Sequence, residues 1–210
     1  MSHALLFLNG SPPNLDNFNF EKLSKYKIIV CADGAYNYLR KSKINPNVVI
    51  GDFDSIKNID RKNQKIEFIK ITDQNSTDFE KALDYLCDIN IYHVEVWGVG
   101  WQNKNFELDH ILGNLATALK YKSKLKLIFN TDNQTFYFLD KKTKIETKQN
   151  QIISLYPFPL AKSITTKGLL YPLTNENLDI KKRLGIRNRT VGKSVEINFS
   201  RGEILVIITK

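Results

Sequence analysis

The chain has 210 residues, 42% of them hydrophobic and 25% charged, a composition that excludes a disordered or fibrous protein. Its longest apolar runs, residues 4–8 and 204–208, are too short to span a bilayer, and no basic n-region with an apolar core marks a secretory leader. Two distant cysteines, Cys31 and Cys87, and three histidines, His3, His93 and His110, argue against a disulfide framework or a zinc cluster and point to the cytoplasm.

In chain order, ALLFLNG reads as a strand ending in a turn, FEKLSKY as a short helix and KIIVCADG as a strand entering a Gly turn. AYNYLRKS reads as a helix, and NVVIGD and KIEFIKI as two more strands. STDFEKALDYLCD is an amphipathic helix with Phe79, Ala82, Leu83 and Leu86 on one face, capped by Ser76 or Thr77. IYHVEVWGVG is a strand running into a loop, and LDHILGNLATALKY a further helix. Strands alternating with helices predict an α/β domain with a mostly parallel sheet and helices on both faces, over residues 1–125.

Beyond that point helical signals fade. KLKLIFN, QTFYFLD, QIISLYPF, SVEINFS and EILVIIT are short strand-like runs set among Asn, Pro, Gly and Lys, which predicts an all-β sandwich over residues 126–210. Charge divides in the same way. Residues 1–122 hold 15 Lys/Arg and 15 Asp/Glu, while residues 123–210 hold 16 and 7, so the whole surplus of +9 lies in the second part. A solvated surface accounts for scattered lysines such as Lys141, Lys142 and Lys144. The run KKRLGIRNRTVGK (181–193) reads first as a solvated loop, then as a phosphate contact through Arg187, Arg189 and Lys193, and last as a nucleic-acid contact, since it has no aromatic platform.

The acids carry the chemistry. Asp33, Asp52 with Asp54, Asp73 with Asp78, and Asp109 each follow a predicted strand, which is the edge where open α/β sheets bind ligands. In an extended segment Asp52 and Asp54, two residues apart, point the same way and repel unless a cation or basic group offsets them. Oxygen ligands without His or Cys suit Mg²⁺ with substrate phosphates. Bland alternatives stand beside each residue. Asp33-Gly34 is a turn pattern, Asp78 a first-turn acid, Lys81 its i,i+3 partner on a solvated face, and Asp109-His110 a helix cap.

CADG (31–34) with Asn37, GDFDSI (51–56), DQNSTDFEKAL (73–83), LDHILGN (108–114), GLLYPLTNENL (168–178), LGIRN (184–188) and VEINFSRGEILVI (195–207) resemble the thiamine pyrophosphokinase family in order and spacing. The resemblance implies an α/β domain joined to a β-sandwich, and a homodimer with the site completed across subunits. It implies transfer of a pyrophosphoryl group from ATP to the thiamine hydroxyl with Mg²⁺, giving thiamine diphosphate and AMP. Carried over by residue, it implies Mg²⁺ ligation by Asp52, Asp54 and Asp78, with Asp78 orienting or deprotonating the hydroxyl. Asp33, Asn37, Ser55, Thr77, Lys81, Asp109 and His110 fall on the nucleotide side, and Gln74, Arg187 and Asn188 on the thiamine side. The chain departs from the family at Ala35, Glu107 and Arg187, where glycine, arginine and serine are usual, and Lys104 is placed to compensate for Glu107. No GxxxxGK[ST] phosphate loop is present. Two rival readings remain: an aspartyl-nucleophile phosphatase, from the local DFDS match, and a basic nucleic-acid-binding regulator.

Overall fold

The computed structural model describes residues 3–15, 18, 20–42, 44–56, 65–99 and 108–210. Glu107, Lys104 and the loop before them lie outside the described residues. Strands dominate, parallel and antiparallel ladders both occur, and helices are few. Among the described residues no helix is long and apolar enough to cross a membrane. The chain divides into two compact units, Met1–Asp132 and Asn133–Lys210.

The first unit contains β1 (His3–Phe7), β2 (Ile28–Ala32), α1 (Tyr36–Leu39), β3 (Val48–Gly51), β4 (Glu67–Lys70), α2 (Asp78–Asp88), β5 (His93–Trp97), α3 (Leu108–Tyr121) and β6 (Lys126–Asn130). Its strands run in the order β4-β3-β2-β1-β5-β6, and every pairing is parallel. The chain moves outward from β1 to β4, then returns to the other side of β1 as β5. That reversal places the switch point of the sheet between β1 and β5, where crevices open at the carboxyl ends of strands. Central β1 is buried along Ala4, Leu5, Leu6 and Phe7, as expected of a strand covered on both sides, while β4 at the edge carries exposed Glu67 and Lys70.

Leu5, Phe7, Cys31, Ala35, Tyr36, Leu39 and Val49 share one core cluster. Helix α2 buries Phe79, Ala82, Leu83 and Leu86, the four residues its periodicity selects. Each such burial is worth about 1–3 kcal/mol. Thr77 caps it in a full capping box: its side chain accepts from the Glu80 N–H, and Glu80 accepts from the Thr77 N–H. Two predicted helices come out differently. FEKLSKY forms a 3-10 helix, Phe20–Lys25, and in AYNYLRKS only Tyr36–Leu39 is α-helical, preceded by a 3-10 turn at Asp33–Ala35. Neither segment is long enough to pass the nucleation cost of a full helix unaided.

The second unit contains β7 (Gln134–Phe138), β8 (Lys142–Glu146), β9 (Ile152–Lys167), β10 (Glu176–Asp179), β11 (Gly185–Arg189), β12 (Ser194–Asn198) and β13 (Arg201–Thr209). All its pairings are antiparallel, in the order β7-β13-β9-β12-β8, with β10 and β11 also on β9. Sixteen-residue β9 is the organiser. Its first part pairs with β13 and its last residues with β12, the handover falling near Ser163 at φ +53°. The core contains Ile153, Leu155, Ile164, Val195, Ile197 and Val206. The expected loop at 181–193 is in part a strand, β11, because β9 offers it a backbone ladder. Lys142 and Lys144 likewise sit in β8, exposed beside buried Ile145.

Candidate active site

Two tight turns assemble the acids of the first unit. Asp33 follows β2 at φ +27°, and its side chain turns inward, leaving the residue 2% exposed. Asp52 and Asp54 leave β3 through Phe53 at φ +69°, so they meet across a turn and not along a pleat as an extended segment would have it. Phe53 is anchored by an edge contact to Phe68, ring centroids 6.0 Å apart. Gly51, at φ +155°, makes this approach possible, since a Cβ there would lie 2.6 Å from Asp33 Cβ.

Asp33, Asp52 and Asp54 each offer an oxygen within 4.8 Å of the others. Ser55 ties the group together: its N–H donates to Asp33 Oδ2 (3.4 Å), its hydroxyl to Asp54 Oδ1 (2.9 Å), and its carbonyl accepts from Asn37 Nδ2 (2.8 Å). Asp33 Oδ1 is buried with no hydrogen-bond partner. Burial, then the charge of Asp78, pushes the Asp33 carboxyl up to about 6. Asp52 is held below the usual carboxylate range, chiefly by the hydrogen bond from Gln74 Nε2 (3.0 Å) and next by the Asp54 N–H. A buried carboxylate oxygen without a donor, grouped with two further carboxylates, suits a hard divalent cation such as Mg²⁺.

Asp78 stands outside this group of three. It opens α2, where Lys81 Nζ lies 3.0 Å from its Oδ1. The lysine side chain is 4% exposed, so it belongs to the interior and not to the solvated face considered from sequence. Beside these acids lies a cavity of about 670 Å³. Ser55, Thr77, Asp78, Asp109 and His110 line it, all five singled out from sequence. Asp109 also accepts from the His110 N–H at 3.0 Å, in the first turn of α3.

Two further segments of the lining were not legible as functional. Leu8, Asn9, Gly10 and Ser11 follow β1, and Gly98 and Val99 follow β5. They flank the switch point, which is defined by strand order and by no motif. Tyr38 Oη donates to the Leu8 carbonyl (2.9 Å), and the Leu8 N–H donates to Trp97 O (2.9 Å). Gly98, at φ +79°, fits against the same carbonyl, where a Cβ would meet Leu8 O at 2.1 Å.

Arg187 and Asn188 belong to β11 of the other unit. Arg187 is exposed at φ +53°, its N–H donating to Ser154 Oγ at 2.8 Å. The Asn188 carboxamide is engaged with backbone: Oδ1 accepts from Tyr171 N (3.1 Å) and Arg189 N (2.8 Å), and Nδ2 donates to Tyr171 O (2.7 Å). Asn188 thereby fixes Tyr171, which is 67% exposed.

Comparison with known proteins follows the same division. The thiamin pyrophosphokinase catalytic domain matches residues 20–129, and the thiamin pyrophosphokinase vitamin B1 binding domain matches residues 142–204. No curated protein matches the chain by sequence. Among solved structures, the chain is similar to the thiamine pyrophosphokinase of Bacillus subtilis, with TM-score 0.84 and 21% identity over 100% of this chain and 99% of that one. It is similar to the enzyme of Geobacillus thermodenitrificans, with TM-score 0.82 and 21% identity over 100% and 98%. For the yeast enzyme the values are 0.78 and 20%, over 99% and 86%. At these identities the structural likeness is one of fold, whereas the catalytic-domain match alone spans more than half of the sequence. The chain belongs to the thiamin pyrophosphokinase family.

Proposed function

We infer that the family's reaction, transfer of a pyrophosphoryl group from ATP to the thiamine hydroxyl, takes place where the three clustered acids meet the cavity. The observation that carries this placement is the buried, unpartnered Oδ1 of Asp33 beside Asp52 and Asp54. Those three residues hold Mg²⁺, with Asp78, included among the ligands by resemblance, completing the acidic rim. Bound there, Mg²⁺ offsets the charge of the ATP phosphates.

Ser55, Thr77, Asp109 and His110 hold the nucleotide against the cavity wall, with Asn37 supporting Ser55. Asp78 takes the proton of the thiamine hydroxyl as its oxygen bonds to the β-phosphorus, and the bond from that phosphorus to the α-phosphate oxygen breaks to release AMP. Lys81 keeps Asp78 in place and offsets its charge. Gln74, Arg187 and Asn188 serve the thiamine side.

The architecture inferred with this function is an α/β catalytic part with helices on both faces, followed by a β-sandwich that binds thiamine and dimerises. One face of the second unit supports the homodimer. Phe138, Leu205 and Tyr156 lie in register across β7, β13 and β9, as do Phe136 and Ile207 on β7 and β13, on the side opposite the Val206 core row. Phe158 packs its ring on Phe138 at 5.4 Å. Free Cys31 and Cys87 fit the reducing cytoplasm proposed for the protein. The phosphatase and nucleic-acid readings give way because the two family matches cover both halves of the chain.

The test is incubation with Mg-ATP and thiamine. AMP and thiamine diphosphate are expected in equal amounts, and Asp52→Asn or Asp78→Asn should abolish turnover with the fold intact. Formation of ADP, or phosphate release without thiamine, overturns the reading.

A further inference from the structure

The turn at residues 73–76 adjoins the acidic rim yet supplies none of the three clustered carboxylates. Asp73 accepts three hydrogen bonds within it. Its Oδ1 accepts from the Asn75 N–H (3.1 Å) and Nδ2 (3.0 Å), and its Oδ2 accepts from Ser76 Oγ (2.7 Å). These bonds, the Ser76 hydroxyl foremost, hold the Asp73 carboxyl below its ordinary range. An acid so engaged braces its own loop, and it is not one of the three clustered carboxylates.

What the braced turn presents is Gln74. Its Nε2 donates to Asp52 Oδ2 at 3.0 Å, while the Asp54 N–H reaches Asp52 Oδ1 at 3.2 Å. Both oxygens of Asp52 are therefore gripped, one by the backbone of its own turn and one by a side chain 22 residues away. Without the second grip, Asp52 is free to rotate away from the neighbouring negative charge of Asp54. Donors placed behind metal-ligating carboxylates fix their orientation, and losing one weakens metal binding.

We propose that Gln74 is a positioning residue for the metal site, its carboxamide holding the Asp52 carboxylate in the group with Asp33 and Asp54, and that Asp73 acts by bracing the turn that carries it. This rests on the metal reading given above. It assigns Gln74 a role apart from contact with thiamine, and gives Asp73, an acid at a strand end, a purpose other than ligation or catalysis.

The experiment is titration of the full, nucleotide-free chain with Mn²⁺, following free ion by electron paramagnetic resonance, with thermal unfolding in EDTA as the folding control. Gln74→Met keeps the length of the side chain and removes the donor. It should weaken Mn²⁺ about 10-fold, with an unchanged midpoint in EDTA because Gln74 is exposed. Asp73→Ala should produce a similar loss, and combining it with Gln74→Met should add little, since the two act through one bond. Equal Mn²⁺ affinity in wild type and Gln74→Met overturns the role of Gln74. Fully additive losses overturn the brace by Asp73. A wild-type chain that takes up no Mn²⁺ overturns the metal reading itself, a result distinguishable from the other two.

Discussion

Lys81 and Asp78 form an ion pair of 3.0 Å across one turn of α2, with the lysine side chain 4% and the aspartate side chain 33% exposed. The pair is asymmetric: one charge is buried, the other reaches the cavity. Asp78→Ala should therefore cost about 2–3 kcal/mol, because it leaves the buried ammonium without a partner. Lys81→Met should cost under about 1 kcal/mol, because the stranded carboxylate keeps partial contact with water. Urea unfolding of both variants, and of the double variant, checks the order. Recovery of stability in the double variant relative to Asp78→Ala is the expected sign of the pair.

A second prediction concerns the wall formed by the ends of β1 and β5. At Gly98 both the φ of +79° and the 2.1 Å approach of Leu8 O exclude a side chain. Gly98→Ala must move the segment that follows β1, which carries Asn9, Gly10 and Ser11 into the cavity. A loss of more than about 1 kcal/mol in stability is expected, with ATP affinity reduced about 10-fold or more. Calorimetric titration with a non-hydrolysable ATP analogue measures it. Gly192→Ala, where an added Cβ meets nothing within 4 Å and which does not line the cavity, is the control.

The amino-terminal edge of the same sheet is sensitive to pH. His3 and His93 are register partners on β1 and β5, with rings stacked at 5.1 Å. Burial first, then the charges of His3 and Lys126, holds His93 below its ordinary value of 6.5. The folded chain thus binds fewer protons here than the unfolded chain once the pH drops below that value. Stability from this source is complete above about pH 6.5 and is lost as pH falls through the lowered folded value. His93→Gln should flatten the decline in unfolding free energy between about pH 7 and pH 5. An unchanged profile would assign the decline to other groups.

The apolar row on β7, β9 and β13 bears on assembly. Phe158→Lys puts a charge beside Phe138 and Tyr156 without touching the core on the other side of the strands. For the homodimer proposed above, the expected result in sedimentation velocity is a loss of self-affinity of about 100-fold or more in the variant. A variant that still dimerises would place the interface elsewhere.

Legibility from sequence varied by element for physical reasons. Helix α2 could be read in full, because a capping box and a 3.6-residue apolar period are both local. Strands β1, β2, β3 and β5 could be read from short apolar runs bounded by turn residues. KTKIE, ENLD and GIRNR could not, since each is short and mostly polar and becomes a strand only because β9 or β12 supplies a ladder. The prediction that Asp52 and Asp54 face together held for a different cause, a left-handed turn at Phe53 that an extended reading does not contain.

By itself the sequence determined which residues are available: acids behind successive strands, a capped helix beginning at Asp78, and motifs whose order matches one family. Those properties depend on neighbours along the chain, so they survive without coordinates. Only the tertiary structure decided that Asp33 joins Asp52 and Asp54 with one oxygen unpartnered, and that Lys81 is buried beneath Asp78. It alone also decided that Gln74 grips Asp52. Each of these depends on segments separated in sequence meeting at one sheet edge, or on which side of a helix the core lies. Strand order and packing set both, and neither is written in local spacing.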